Sequence, residues 1–273
     1  MITSQATAPT AQRAGYQTLI GAASLAVGPL IMAVGDLLHP EETWDTGGQA
    51  VIVADQPTRW YLAHLLLLIG AVMFVPGVLT LTDLVAARRP RAGFAARILL
   101  VIGLAGMSAI FAAEMLAGVF GSLGVAATEE FLRAMFSGPI AGPILPLTLA
   151  FFVGATMLAV PLIADAGRLR WPALVLLSGT LLVLAEIISS QVLLSQIGNL
   201  LIWGASAAIA VLLVRGEFEE FGQQRGSDVG FVWPGTGIPG AGEAVRGDAV
   251  AVHEAADGGQ HGPRARSAAD REP

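Results

Sequence analysis

The sequence predicts an all-α protein: a bundle of six transmembrane helices with both termini in the cytoplasm and a disordered C-terminal tail. Three observations carry that expectation. Apolar residues make up 54% of the 273-residue chain and charged residues 13%, and the apolar ones come in long runs rather than in helix-period or strand-period stripes. Six runs reach the roughly 20 residues a helix needs to cross hydrocarbon. The arginines gather in alternate connections, as the positive-inside rule requires of a chain threading back and forth.

The first run, about 17–38, follows a polar segment, 1–16, without a small-residue cleavage signal, and reads as a retained span rather than a signal peptide. Pro40 closes it, because proline disfavours helix at the residue before it. The next connection, HPEETWDTGGQAVIVADQPTRWY, carries Glu41, Glu42, Asp45 and Asp55 against Arg59 alone. An extracytoplasmic loop fits that balance, with Trp60 and Tyr61 as an interfacial aromatic belt. Glu41 and Glu42 read as solvated loop residues.

The second and third runs, about 60–84 and 95–119, flank ARRPRAGFAAR, whose Arg88, Arg89, Arg91 and Arg97 place that turn in the cytoplasm. The second outer connection contains TEEFLRAMFSG. Phe131, Leu132, Met135 and Phe136 fall on one helical face opposite Glu129, Glu130 and Arg133, which predicts a short helix lying on the membrane surface. The fourth run, about 142–165, starts or kinks at Pro143 and Pro146 and kinks again at Pro161, features that membrane helices tolerate. DAGRLR, with Arg168 and Arg170, returns the chain to the cytoplasm before the fifth and sixth runs, about 172–192 and 195–214. Arg13 and Arg215 fall on the same side.

The segment 17–221 is therefore the membrane domain. From about 222 to 273 the composition shifts to Gly, Pro, Ala and scattered charge, which cannot bury enough apolar area to offset ordering entropy. Within that tail GTGIPG at 235–240 matches G-x-G-x-x-G, but no strand precedes it and Pro239 interrupts it, so it reads as tail rather than a nucleotide site. His253 and His261 read as solvated.

All fifteen basic residues are arginine and there is no cysteine, which excludes disulfides, thiolate metal sites, iron–sulfur clusters and attached c-type haem. A formal charge of −6 argues against nucleic acid as a partner. The lipid bilayer of a plasma membrane is the expected environment.

The spans also resemble one another. Gly70-Ala71-Val72-Met73 with Pro76 following corresponds to Gly154-Ala155-Thr156-Met157 with Pro161 following. Asp36, Glu114 and Glu186 stand seven or eight residues after Gly28, Gly106 and Gly179, the pattern of a hairpin repeated three times.

That spacing sets a common depth. Glu114 lies 17 residues beyond Arg97 and Glu186 lies 16 beyond Arg170. At about 1.5 Å per residue, both sit roughly 25 Å from the cytoplasmic boundary of a layer about 30 Å thick. Asp36, His39 and His64 belong to the same outer third, as do Gln191, Gln196 and Asn199. A carboxylate at mid-bilayer costs about 2.5–3.5 kcal/mol and normally faces the bundle interior with a partner. Gly106 and Gly118, on the stripe of Glu114, let neighbouring helices approach.

Three functions follow as expectations. The first is an outward-facing pocket that binds a cation or exchanges protons, with His39, His64, Glu114 and Glu186 as cation or metal ligands and Asp36, Asn199 and Gln191 as lining. The second is a membrane enzyme with a divalent metal or haem held by His39 and His64. The third is a non-catalytic scaffold whose loops and tail contact other proteins.

Overall fold

The computed structural model describes residues 8–137, 141–165 and 167–216. The segment 222–273, with GTGIPG, His253 and His261, lies outside them, as does the side chain of Arg13. The described residues form α1 (Ala8–Leu38), α2 (Thr46–Asp55), α3 (Pro57–Arg88), α4 (Pro90–Gly121), α5 (Val125–Ser137), α6 (Ala141–Asp165), α7 (Arg170–Ser189) and α8 (Val192–Val214), with a 3-10 turn at Gly167–Leu169 and no strand among them. Six of these helices are long and apolar enough to cross a membrane: α3, α4, α6, α7, α8 and the Gly15–Leu38 part of α1. The all-α, six-span class expected from the sequence is the class observed.

The six long helices form a closed ring. α1 packs on α3, α3 on α4, α4 on α6, α6 on α7, α7 on α8, and α8 returns to α1. Short connections make successive helices antiparallel, so the ring has a histidine end, where α1, α4 and α7 finish, and an arginine end, where α3 meets α4 and α6 meets α7. Leu25, Phe74, Leu81, Leu100, Leu104, Leu158 and Ile209 fill its core.

Small residues bring the backbones together within the hairpins. A Cβ on Gly28 of α1 would stand 2.8 Å from the backbone of Phe74 in α3, and one on Gly179 of α7 would stand 2.6 Å from the carbonyl of Gly198 in α8. Both approaches are closer than a side chain permits, so glycine is required at each.

Proline breaks the α3 ladder, and a hydroxyl of α1 bonds beside the break. Pro76 has no N–H and its ring displaces the preceding turn. One residue on, the N–H of Gly77 donates to the Ser24 hydroxyl of α1, at 2.8 Å. Ser24 Oγ in turn donates to the Met73 carbonyl. The hydroxyl thus bonds both backbone groups beside the proline and ties α1 to α3.

The connection between α1 and α3 is more ordered than a loop. Asp45 accepts from the N–H of Gly48 at 2.7 Å and caps α2, as a carboxylate at that position should. α2 and α5 pack together and against α4, with Ala50, Val53 and Leu132 buried over Trp60 and Ala117. Phe131 stacks on Phe120 of α4 with ring centroids 4.6 Å apart, whereas Phe136 remains exposed. The short helix expected over TEEFLRAMFSG therefore exists as part of a two-helix cap on the histidine end.

At the arginine end, Arg97 pairs with Asp83 and donates to Thr82 Oγ1 at 3.2 Å, which joins α3 to α4 beside their turn.

Candidate functional site

The histidine end holds the buried ionisable groups of the described residues. α1 ends at Leu38, where the N–H of His39 donates to the Asp36 carbonyl at 3.1 Å, and Pro40 turns the chain across the bundle. That ending points the His39 ring inward, where it is 6% exposed. α3 begins at Pro57, a residue favoured in the first helical turn. One turn later Trp60 faces the bundle, and His64 follows four residues on. Trp60 and His64 are 1% and 3% exposed.

The three rings pack as a cluster. Centroids of His39 and Trp60 are 4.6 Å apart, those of His39 and His64 4.7 Å, and those of Trp60 and His64 4.8 Å. Trp60 Nε1 donates to the Glu114 main-chain carbonyl at 3.0 Å, linking the cluster to α4. Trp60, expected at an aqueous interface, is therefore buried, because its indole covers both imidazoles and finds an acceptor inside.

Hydrogen bonding fixes the tautomers. His39 Nδ1 lies 2.8 Å from the Pro40 carbonyl and His64 Nδ1 lies 2.9 Å from the Trp60 carbonyl. A carbonyl only accepts, so each Nδ1 must carry a hydrogen. The remaining nitrogens, His39 Nε2 and His64 Nε2, face each other at 3.2 Å. Two neutral rings of this tautomer would oppose two lone pairs at hydrogen-bonding distance. Glu42 Oε1 lies 3.2 Å from the same His39 Nε2. Three acceptors thus converge, and one proton on His39 Nε2 satisfies all of them.

Glu42, expected among solvated loop residues, is exposed in the loop and also contacts His39. Its side chain is 36% exposed, so it reaches water from one side and His39 from the other. It is also within electrostatic reach of Asp36, Glu114 and Glu186. Desolvation, followed by the charge of Asp36, pushes its carboxyl up to about 7 from an ordinary 4.5. Desolvation holds the His39 imidazole below its ordinary 6.5, with the Pro40 carbonyl and Asp36 acting upward and Arg59 downward. The two shifts run in opposite directions, the carboxyl upward and the imidazole downward. Only the loop's acidity marked Glu42 in the sequence; its contact with His39 depends on the turn at Pro40.

The other expected residues divide. Asp36 is buried and accepts from the Ser195 hydroxyl of α8 at 3.2 Å, while its main-chain carbonyl accepts from Gln196 Nε2 at 3.4 Å. Asn199, also buried, faces the Asp36 carboxyl. Glu114 is 8% exposed. One carboxyl oxygen of each acid, Asp36 Oδ2 and Glu114 Oε2, is buried without a partner. Glu186 is partly exposed, and Gln191 is exposed at the N-cap of α8, where Ser195 and Gln196 take the place expected of it. Arg59 donates to the carbonyls of Leu38 and His39, at 2.6 and 3.3 Å, and anchors the end of α1.

His39 and His64 are thus brought together, with Glu42 in contact with His39. Among the described residues no group of three His, Asp or Glu side chains is arranged to hold a metal ion. An axial haem pair needs a porphyrin plane between its rings, and edge-to-face imidazoles with centroids 4.7 Å apart leave no slot for one. No protein-family model, no curated protein and no solved structure matches this chain in comparisons with known proteins.

Proposed function

We propose that the protein is a proton-exchanging plasma-membrane protein, with its termini in the cytoplasm and its histidine end facing outward. The observation that carries this reading is the approach of His39 Nε2 to His64 Nε2, with both Nδ1 hydrogens already committed to carbonyls. A single proton converts a contact between lone pairs into an N–H···N hydrogen bond, and Glu42 balances its charge.

A proton suits this arrangement better than a larger cation, since the two nitrogens already stand at hydrogen-bonding distance. Asp36 and Glu114 supply further negative charge around the pair, the usual setting of intramembrane proton sites. In the arginine half, the buried polar residues include the hydroxyls of Ser24 and Thr82. Those hydroxyls offer no carboxylate or imidazole to continue a relay, which favours uptake and release at one face over translocation. The outward direction rests on the arginines at the opposite end.

Trp60 provides the readout, because it touches both imidazoles and an imidazolium quenches indole emission. In a protein whose other tryptophans are replaced (Trp44→Phe, Trp171→Phe, Trp203→Phe, Trp233→Phe), Trp60 fluorescence is expected to fall as pH is lowered through the titration of the pair. His39→Gln and His64→Gln should each abolish the step. A flat profile in the parent, or one unchanged in both variants, rules the function out.

A further inference from the structure

We infer that Glu42 is the port through which the proton reaches and leaves the imidazole pair, an assignment that rests on the proton-exchange reading above. The pair itself is sealed. His39 and His64 are 6% and 3% exposed, Trp60 lies against both rings, and each Nδ1 is closed by a backbone carbonyl. A proton approaching the Nε2 atoms therefore needs a carrier that touches them and also touches water.

Glu42 meets both requirements. Its Oε1 is 3.2 Å from His39 Nε2, and more than a third of its side chain is exposed. The charged groups around this line come from every packed element: Asp36 on α1, Arg59 on α3, Glu114 on α4 and Glu186 on α7. The hydrogen-bond partners of the two Nε2 atoms are each other and Glu42. Asp36 is occupied by Ser195 of α8, and Arg59 is turned to backbone carbonyls.

The transfer is simple to balance. Glu42 as the carboxylic acid gives its proton to His39 Nε2: the O–H bond breaks, the N–H bond forms, and the new N–H is shared with His64 Nε2. The carboxylate left behind is reprotonated from water. Release runs the same steps in reverse. Desolvation raises the Glu42 carboxyl and lowers the His39 imidazole, so Glu42 keeps its proton to higher pH than a solvated carboxyl does and can present it to His39 Nε2.

The test uses the full-length protein with Trp60 as its only tryptophan, in nanodiscs, and follows fluorescence after a light-triggered drop in pH. Glu42→Gln is expected to slow the quench at least tenfold while the quench is still reached at equilibrium. Formate or azide, as small diffusible weak acids, should restore the rate in Glu42→Gln and have little effect on the parent, a rescue that a merely structural role would not give. Glu41→Gln serves as the neighbouring control and should react at the parental rate. A Glu42→Gln protein that quenches as fast as the parent overturns the port and leaves the histidine site standing. Loss of the equilibrium quench in the parent itself would instead remove the proton-exchange reading.

Discussion

His39 Nε2 and His64 Nε2 stand 3.2 Å apart on α1 and α3, and each ring has spent its other nitrogen on a main-chain carbonyl. A neutral pair in this geometry is electrostatically unfavourable, and a singly protonated pair is not. His64→Gln replaces one acceptor by an amide that can donate N–H to His39 Nε2 without taking up a proton. The thermal stability of His64→Gln is therefore expected to vary less between pH 5 and pH 8 than that of the parent. Equal pH dependence of the two proteins would contradict the shared proton.

Glu42 gives a pH dependence of known sign. Its carboxyl is raised in the folded protein to about 7 from 4.5, so the folded state holds its proton more tightly than the unfolded state. The resulting stabilisation is complete below pH 4.5 and fades as pH rises through about 7. Its size is moderated by the 36% exposure of the side chain. Glu42→Gln cannot lose a proton, so its melting temperature relative to the parent should rise from pH 5 to pH 8. A difference that stays constant or falls over that range counts against a buried-side contact for Glu42.

Ser24 bonds α3 on both sides of Pro76, accepting from Gly77 and donating to Met73. Ser24→Ala removes both bonds inside the bundle, at a cost of about 1–3 kcal/mol for an unsatisfied buried group. Ser24→Thr keeps the hydroxyl and should recover part of the loss. Melting curves of the three proteins in one detergent check the order, and an alanine variant as stable as the parent would show that the hydroxyl does not tie α1 to α3.

Glycines set the spacing within the hairpins. A Cβ on Gly28 would meet Phe74 backbone at 2.8 Å, whereas one on Gly204 of α8 meets nothing within 4 Å. Gly28→Ala should therefore destabilise by about 1–3 kcal/mol, the usual range for overpacking, while Gly204→Ala should be neutral or slightly stabilising in its helix. Equal effects at the two positions would mean that the α1–α3 approach is looser than described.

The absence of native cysteine makes the topology directly testable. Single cysteines in place of Thr43 and Leu123 should react with a membrane-impermeant maleimide in intact cells. One in place of Arg91 should react only after lysis. The opposite pattern would invert the protein.

How much of this was legible beforehand depended on the range of the forces involved. The six spans were readable because hydrocarbon imposes its thickness on every helix, whatever that helix packs against. The end of α1 was readable from Pro40. The meeting of His39 with His64 was only an expectation, since 25 residues separate them and no spacing rule brings two helices together. Trp60 was misread, and the contact of Glu42 with His39 was not foreseen, for a common reason. Local composition suggested surface, but the turn at Pro40 and the α2–α5 cap fold the connection back over the bundle. Ser24 gave no advance sign, because its role exists only opposite Pro76 of another helix.

The most direct test is ¹⁵N NMR of the full-length protein labelled at its four histidines, with His39→Gln and His64→Gln used for assignment. His39 and His64 are both expected to carry hydrogen on Nδ1 and to share a single hydrogen between their Nε2 atoms near neutral pH, seen as a coupling across the N–H···N bond. Two independent neutral imidazoles, with hydrogen on either Nε2 and none on the matching Nδ1, would contradict this pairing.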